Sequence, residues 1–207
     1  MYMAEKEMKQ FAEAVRDIDA CTGKPTDVCL GYKCGFPHEL GSTGYGVAQA
    51  AKVAVEHLGL DIKTIRFTID GFGNVGVFAA KFLTEMGAKF IAASDSKGAV
   101  HLAEGICFSE LEALKKEKKS VTDFAKGEKI SNAKLVEVET DILITASIPD
   151  VINEKNYENI NAKIIVQGSN IPMTPEVEEK LHEKGVLIVP DIIANAGGVI
   201  SSYLEYI

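Results

Sequence analysis

The sequence lacks any apolar run long enough to cross a membrane, and it lacks an excess of positive charge. No stretch approaches the ~18 residues of a spanning helix. The 207 residues carry 22 Lys and Arg against 30 Asp and Glu, a net charge of −8 at pH 7. Nucleic acids and anionic membrane surfaces would repel such a protein. Because the charged, amphipathic start is unlike a signal peptide, we expect a cytoplasmic protein with no nucleic-acid or membrane partner.

Cysteine is also scarce, and its spacing excludes the common metal and redox motifs. The four cysteines, at positions 21, 29, 34 and 107, form no C-x-x-C pair, and no histidine follows them at zinc-like spacing. We therefore expect reduced thiols and no bound metal. A metal site built from Cys29, Cys34 and the nearby His38 is the alternative.

What the sequence does contain is an alternation of short apolar runs with helical patterns. The runs are rich in aliphatic or β-branched residues and are bounded by Asp, Gly, Asn or Pro, which is typical of buried strands. Candidate strands are Ile65–Ile69, Phe90–Ser94, Ile142–Thr145, Ile164–Gln167 and Val186–Val189, and candidate helices are 75–86, 109–118, 175–184 and 195–206. Continuous apolar strands suit a parallel sheet covered on both faces. The pattern predicts a doubly wound α/β domain.

A helical lead-in and a loop precede this alternation. Residues 3–20 place apolar side chains at helical spacing, and residues 22–41 are rich in Gly and Pro, as irregular loops are. Ser42 or Thr43 is expected to cap a helix that runs to about Leu58.

A glycine motif, G-x-G-x-x-G, directly follows the first candidate strand and opens the next helix. It is formed by Gly71, Gly73 and Gly76. In dinucleotide-binding folds the first glycine permits the tight turn, the second lets the backbone approach a pyrophosphate, and the third allows close helix–strand packing. Backbone N–H groups and the helix dipole then favour the phosphate charge. The motif predicts a dinucleotide site, and a purely structural glycine turn is the alternative.

An acidic residue stands where such a fold places its ribose ligand. Asp95 closes the next candidate strand, about 20 residues after Gly76. A carboxylate there accepts hydrogen bonds from the adenosine ribose and would repel a 2′-phosphate, so we expect NAD to be preferred over NADP. The neighbouring Ser94, Ser96 and Lys97 soften that preference. The alternative is an aspartate that merely ends a strand.

Five stretches carry a family resemblance in their order and spacing. They are TGKP (22–25), STGYGV (42–47), GFGNVG (71–76), SDSKG (94–98) and PDIIANAGGVISSYLEY (190–206). Together they resemble the glutamate/leucine/phenylalanine/valine dehydrogenase family, and its glutamate dehydrogenase branch most closely. The resemblance implies a Rossmann-type NAD(P)-binding domain over residues 22–207, preceded by a linker-like helix over 1–21. It also implies reversible oxidative deamination of an amino acid, with hydride passing from the substrate Cα to a nicotinamide ring.

The resemblance implies contacts for the phosphate and adenosine parts of the cofactor. Asn74 and Val75 lie at the pyrophosphate turn, and Asp95 and Ser96 lie at the ribose. Ala146 follows the strand over which the adenosine passes.

The resemblance also implies a nicotinamide and substrate pocket. Thr43 resembles the threonine that touches the nicotinamide amide, and Asn170 and Asn195 resemble the asparagines that line that pocket. Ser202 matches the serine that reaches a substrate carboxylate in glutamate-specific members. Each has a plainer alternative, because Thr43 and Asn195 can cap helices, Asn170 can hold a turn, and Ser202 can be exposed on a helix.

The amino-acid chemistry of the family belongs to a substrate domain that precedes the cofactor domain. No segment before Thr22 is long enough to be that domain, so we expect its catalytic lysine and aspartate to be missing and assign no catalytic residue. Lys24, Lys33, His38 and Glu39 are the acid/base candidates that the loop offers.

Three functional hypotheses follow. The first is the NAD-binding half of an amino-acid dehydrogenase, completed by a separate substrate-domain chain or cut from a longer enzyme, and able to form a homo-oligomer. The second is a non-catalytic NAD-binding regulatory module. The third is a structural remnant that binds no nucleotide.

Overall fold

A computed structural model describes residues 4–37 and 40–207 of the chain, so the candidates His38 and Glu39, and Met3 of the lead-in helix, lie outside the described residues. Within these ranges the α-helices are α1 (Glu5–Val15), α2 (Ser42–His57), α3 (Asn74–Glu85), α4 (Phe108–Lys116), α5 (Asn132–Leu135), α6 (Pro175–Glu183), α7 (Asp191–Ala194) and α8 (Ala196–Tyr206). None of these described helices has both the length and the hydropathy that crossing a membrane requires.

The strands of the described residues form one large sheet and one small hairpin. They are β1 (Cys29–Leu30), β2 (Lys33–Cys34), β3 (Arg66–Asp70), β4 (Lys89–Asp95), β5 (Gly98–His101), β6 (Glu128–Ile130), β7 (Thr140–Thr145), β8 (Ala162–Gln167) and β9 (Leu187–Val189). The large sheet has the order β6-β5-β4-β3-β7-β8-β9, and β1 pairs with β2 separately.

Most neighbours in the large sheet are parallel. The strands β4, β3, β7, β8 and β9 pair in parallel, whereas β5 and β6 continue the sheet beyond β4 in antiparallel pairings. The predicted doubly wound α/β fold is confirmed. The antiparallel extension was not predicted, because GAVH and EKI are too short and too mixed in polarity to stand out as strands.

Apolar side chains cover both faces of the sheet. Along β7, Ile142 and Ile144 join one buried cluster with α2 and α3, while Leu143 joins a second cluster with α5 and α6. Successive side chains of a strand point to opposite faces, so a fully apolar run is the expected sequence for a strand covered on both sides.

Two predicted helices differ from the structure at their ends. The lead-in helix ends at Val15, because Arg16 adopts a left-handed conformation (φ 57°), and a short 3₁₀ turn at Ile18–Ala20 follows. The N-cap of α2 is Gly41 (φ 83°), so neither Ser42 nor Thr43 caps this helix as predicted.

The expectation of four reduced thiols is wrong. Cys29 and Cys34 face each other across the β1–β2 hairpin and form a disulfide, while Cys21 and Cys107 are free. A disulfide removes both thiolates from metal binding, so the alternative metal site with His38 loses its two sulfur ligands. Residues 4–37 and 40–207 contain no group of three or more His, Cys, Asp or Glu residues placed to hold a metal.

Candidate functional site

The direction of chain winding reverses beside β3. From β3 the sheet continues to β4 on one side and to β7, β8 and β9 on the other. Open α/β sheets bind ligands in the crevice at the carboxyl ends of the strands where this reversal occurs. The glycine motif follows β3 directly, so the fold places it at this crevice.

Packing explains two of the three glycines of the turn. Gly71 has a φ of +97°, and a Cβ atom added there would lie 2.6 Å from the carbonyl oxygen of Ala146. A Cβ on Gly76 would collide with the carbonyl oxygen of Gly71. Gly73 differs, because its φ of −92° suits any residue and a Cβ there would meet no atom within 4 Å. A purely structural turn therefore accounts for Gly71 and Gly76 but not for Gly73.

The helix that follows the turn directs its positive end into the crevice. Helix α3 begins at Asn74, with Val75 in its first turn, and its N-cap Gly73 has no side chain that could accept a hydrogen bond from the helix. The N-terminus of a helix carries a partial positive charge and outward N–H groups. This arrangement suits an anionic group held above Gly73.

A cleft of about 520 Å³ extends from the turn towards the end of β4. Asp70, Asp95, Ser96, Lys115 and Ala146 are among its lining residues, together with Gly71 and Gly73. This cleft therefore contains the predicted ribose residues together with Gly71 and Gly73 of the turn, whereas the predicted phosphate contacts Asn74 and Val75 do not line it. Sequence reasoning missed Asp70 and Lys115, although an aspartate directly before a glycine motif is a visible signal.

The Asp95 carboxylate is largely committed to hydrogen bonds within the protein. Oδ1 accepts from the Lys97 backbone N–H (2.9 Å) and the Ser120 hydroxyl (3.0 Å), and Oδ2 accepts from the Val121 N–H (2.9 Å). Burial acts to raise the pKa of Asp95, but these hydrogen bonds and the charge of Lys115 together lower it. A carboxylate has about four acceptor positions, so one position on Oδ2 is left for an outside donor.

A second cleft, of about 640 Å³, brings the other predicted residues together. Its lining includes Thr43, Asn170, Asn195 and Ser202, with Val75 of the phosphate turn. Asn195 is the C-cap of α7 and the N-cap of α8, and its backbone N–H donates to the carbonyl of Asp191 (2.9 Å). Its side chain makes no capping hydrogen bond and instead donates from Nδ2 to Oδ1 of Asn170 (2.7 Å). The plainer alternative for Asn195, a helix cap, is therefore correct for its backbone position, but it does not account for its side chain.

The two clefts meet at the loop after β7, because Ala146 and Ser147 line both. Ser147 and Ser169 are further polar lining residues that sequence reasoning missed. Among the described residues, the lining of the larger cleft has no ionisable side chain. It can orient a ligand by hydrogen bonds and apolar contact, but it contains no group to transfer a proton at neutral pH.

The two loop lysines in the described ranges make structural contacts with helix α8. Lys24 is buried against Glu205 of α8, with Nζ 2.7 Å from Oε1. Lys33 donates from Nζ to the carbonyl of Tyr206 (2.9 Å). Neither lysine lines either cleft, which removes both as acid/base candidates there.

Known proteins resemble this chain in sequence and in fold. The family model for glutamate/leucine/phenylalanine/valine dehydrogenase matches residues 35–207. The glutamate dehydrogenase of Aeropyrum pernix is 46% identical over 188 residues, which cover 90% of this chain and 43% of that protein. The NADP-specific glutamate dehydrogenase of Saccharolobus shibatae is 42% identical over 190 residues, which cover 92% of this chain and 44% of that protein.

A solved structure shows the same fold. The hetero-hexameric glutamate dehydrogenase of Thermus thermophilus, in its leucine-bound form, superposes with a TM-score of 0.84 at 22% identity, covering 98% of this chain and 48% of that chain. The chain spans less than half the length of the curated relatives it matches. The family match and the sequence identity establish that this chain belongs to the glutamate/leucine/phenylalanine/valine dehydrogenase family.

Proposed function

We propose that the chain is the nucleotide-binding part of a glutamate dehydrogenase-like oxidoreductase and holds NAD(H) over its glycine turn. The observation that carries this proposal is Gly73, a glycine that neither backbone conformation nor protein packing requires. In a dinucleotide-binding turn, the second glycine leaves room for the pyrophosphate to approach the backbone. A close backbone approach to a ligand is therefore a reason for glycine at this position.

The two clefts supply places for the two ends of the dinucleotide. The pyrophosphate would lie at Gly73 and the first turn of α3, and the adenosine ribose would lie beside Asp95 and Ser96. When bound, the nicotinamide ring supplies the hydride acceptor for amino-acid oxidation. The larger cleft, at about 640 Å³, falls in the usual range for small-molecule sites, and Thr43 and Asn195 would orient the ring there.

We further propose that NAD is preferred over NADP. Hydrogen bonds and the charge of Lys115 lower the pKa of Asp95, so its carboxylate is ionised at neutral pH, and the residue lines the smaller cleft. A 2′-phosphate would bring two like charges together, whereas a free 2′-hydroxyl would donate to the remaining acceptor position. Lys115, which lines the same cleft, reduces the preference without reversing it.

Deamination itself would require groups that the clefts do not contain. The chain spans less than half of its curated relatives, and we propose that further protein, in the same polypeptide or in a separate substrate-domain chain, supplies the proton-transferring groups. The hetero-hexameric state named for the Thermus thermophilus relative supports assembly with other subunits. A non-catalytic NAD-binding module is the second candidate, and the absence of ionisable side chains from the described lining of the larger cleft favours it.

The test is calorimetric titration of NADH into the 207-residue chain and its Gly73→Ala variant. We expect saturable binding by the parent and at least a tenfold loss in the variant, because the methyl group would occupy the space over the turn. The unfolding free energy of the variant should stay within about 1 kcal/mol of the parent, as expected for a change at a helix N-cap. Absence of saturable binding by a folded parent up to millimolar NADH, or equal affinity of Gly73→Ala, would contradict the proposal.

A matched control is Gly59→Ala. Gly59 also has no atom within 4 Å of an added Cβ, but it follows α2 and lines neither cleft. Its φ of +68° makes alanine cost stability, so this variant separates loss of stability from loss of the site. We expect its NADH affinity to equal that of the parent.

A further inference from the structure

The last residue of β3 is a carboxylate buried beneath the glycine turn. Asp70 is 2% exposed and immediately precedes Gly71. The residue is part of the lining of the cleft that also contains Gly71 and Gly73. An ionised group at such a place is costly unless it is paired.

The partners of this carboxylate are neutral. The hydroxyl of Ser94 donates to Oδ1 (3.0 Å), and the hydroxyl of Ser147 donates to Oδ2. The Ser94 oxygen in turn accepts the N–H of Gly71 (2.9 Å). A continuous chain of hydrogen bonds therefore runs from the Asp70 carboxylate to the first glycine of the turn.

Few charges reach the same cleft. Besides Asp70, the charged residues of its lining are Asp95, from β4, and Lys115, from α4. The other described lining residues come from the glycine turn, β4 and the turn after it, α5 and the loop after β7, and they carry no charge. Lys115 lowers the pKa of Asp95. Burial raises the pKa of Asp70, and the hydroxyls of Ser147 and Ser94 only partly oppose this effect.

The hydrogen-bond network stays complete in either protonation state. A hydroxyl group both donates and accepts, so the Ser147 hydroxyl can rotate to accept the proton of a neutral Asp70. The Ser94 oxygen can keep the Gly71 N–H while its own proton still points to Oδ1. Protonation thus removes a buried negative charge without leaving a polar atom unpaired.

We propose that Asp70 couples dinucleotide binding to proton uptake, so that the glycine turn accepts a pyrophosphate most tightly when Asp70 is protonated. This inference rests on the proposed nucleotide site. A bound pyrophosphate places negative charge next to the buried carboxylate, and a like charge favours the neutral form of an acid. Binding therefore raises the fraction of protonated Asp70, and by linkage protonation strengthens binding.

The sign of the pH dependence follows. Between the Asp70 pKa of the free protein and the higher pKa of the complex, the complex holds more protons than its separated parts. Affinity therefore falls as the pH rises through that window and is constant on either side of it. If the pKa of Asp70 is higher by one in the complex than in the free protein, the affinity changes about tenfold across the window.

The test uses NAD⁺, which is stable in acid, titrated into the 207-residue chain by calorimetry from pH 5 to pH 8.5. Each pH is measured in two buffers of different ionisation enthalpy, so that the difference gives the number of protons taken up. We expect proton uptake in part of this range and an affinity that falls about tenfold across it. Asp70→Asn should abolish both the uptake and the slope, and at pH 8.5 it should bind at least as tightly as the parent.

Two further variants keep the test decisive. Asp150→Asn removes one charge from an exposed site outside both clefts, and its proton uptake should equal that of the parent. Ser147→Ala removes a hydrogen-bond donor to the Asp70 carboxylate, so it should move the proton-uptake window to higher pH. This variant tests the inference even if Asp70→Asn does not fold.

Binding without proton uptake at any pH, or an unchanged slope of affinity against pH in Asp70→Asn, would overturn this inference and leave the proposed function in place. Absence of NAD⁺ binding at every pH would overturn the proposed function as well.

Discussion

The ammonium group of Lys24 lies 2.7 Å from a carboxylate oxygen of Glu205, and both side chains are almost fully buried, at 4% and 1% exposure. The same carboxylate accepts the backbone N–H groups of Gly23 (2.5 Å) and Lys24 (3.2 Å). The loop before the sheet is thereby joined to helix α8. Because α8 also carries Ser202 into the larger cleft, this buried pair fixes one wall of the candidate site.

Breaking this pair should destabilise the chain strongly. Lys24→Met leaves a buried carboxylate without its cation, and removal of one partner of a buried ion pair costs about 3–5 kcal/mol. Urea unfolding at pH 7 measures the loss. Adding Glu205→Gln should recover part of it, because no unpaired charge stays buried, although the single amide oxygen replaces the two carboxylate oxygens that accept the Gly23 and Lys24 N–H groups. A cost below about 1 kcal/mol for Lys24→Met would show that the pair does not hold α8 in place.

The choice of cofactor should depend on the charge of Asp95. We expect the parent to bind NAD about tenfold or more tightly than NADP, and Asp95→Asn to narrow that ratio, because one like-charge contact with the 2′-phosphate is removed. The ratio of the two dissociation constants is the quantity to compare, since lost hydrogen bonds to Ser120 and Val121 weaken both cofactors alike. The control Asp123→Asn removes an exposed charge from the 3₁₀ turn Val121–Asp123, and its amide oxygen can still accept the Ser120 N–H, so the ratio should stay unchanged. Equal affinities in the parent would count decisively against a ribose role for Asp95.

The hairpin disulfide should be detectable by a thiol count. The unfolded chain should show two reactive thiols, Cys21 and Cys107, without reductant and four after reduction. Loss of the bridge through Cys29→Ser with Cys34→Ser should cost about 2 kcal/mol, which is the chain-entropy expectation for so short a loop. The matched double variant Cys21→Ser with Cys107→Ser keeps the bridge and controls for the number of changes. Four thiols without reductant would show that the bridge does not form.

The large elements were predictable because burial imposes a pattern that the sequence displays. Strands β7 and β8 were predicted to within two residues, since a strand covered on both faces must be apolar throughout. The glycine motif was predictable for a similar reason, because Gly71 and Gly76 meet neighbouring backbone atoms that exclude a side chain. In both cases the constrained residues stand close together in the chain, even where the constraining atom, as for Gly71 and the carbonyl of Ala146, is distant in sequence.

Features that depend on distant residues were not predictable in this way. The hydrogen bonds among Asp70, Ser94 and Ser147 form only because β3 pairs with β4 and because the loop after β7 passes close to Asp70. A local sequence pattern specifies neither arrangement. The disulfide requires a hairpin that pairs Cys29 with Cys34, and a spacing of five residues alone does not distinguish it from two free thiols. Lys24 stood out as an acid/base candidate by residue type, yet its role depends on Glu205, at the other end of the chain.

The 207-residue chain by itself should not oxidise glutamate or another amino acid at a meaningful rate. Hydride transfer requires the substrate Cα to be fixed about 3–3.5 Å from the acceptor carbon, and such orientation contributes roughly 7–11 kcal/mol to lowering the barrier. General acid/base groups add a further ~10²–10⁴-fold. The described lining of the larger cleft has neither a cation for the substrate carboxylate nor an ionisable proton carrier, and Ser202 alone cannot orient a substrate.

The measurement is NADH formation from glutamate, leucine, phenylalanine and valine at high protein concentration, with a full-length family member as the positive control. We expect no signal above background from a sample that binds NADH in the calorimeter. Turnover within the usual enzyme range of about 1–10³ s⁻¹ would show that the chain, or a self-associated copy, supplies the proton-transferring groups. In that event a loss of activity on dilution would identify self-association as the source, because groups contributed by a second copy are lost when the copies separate.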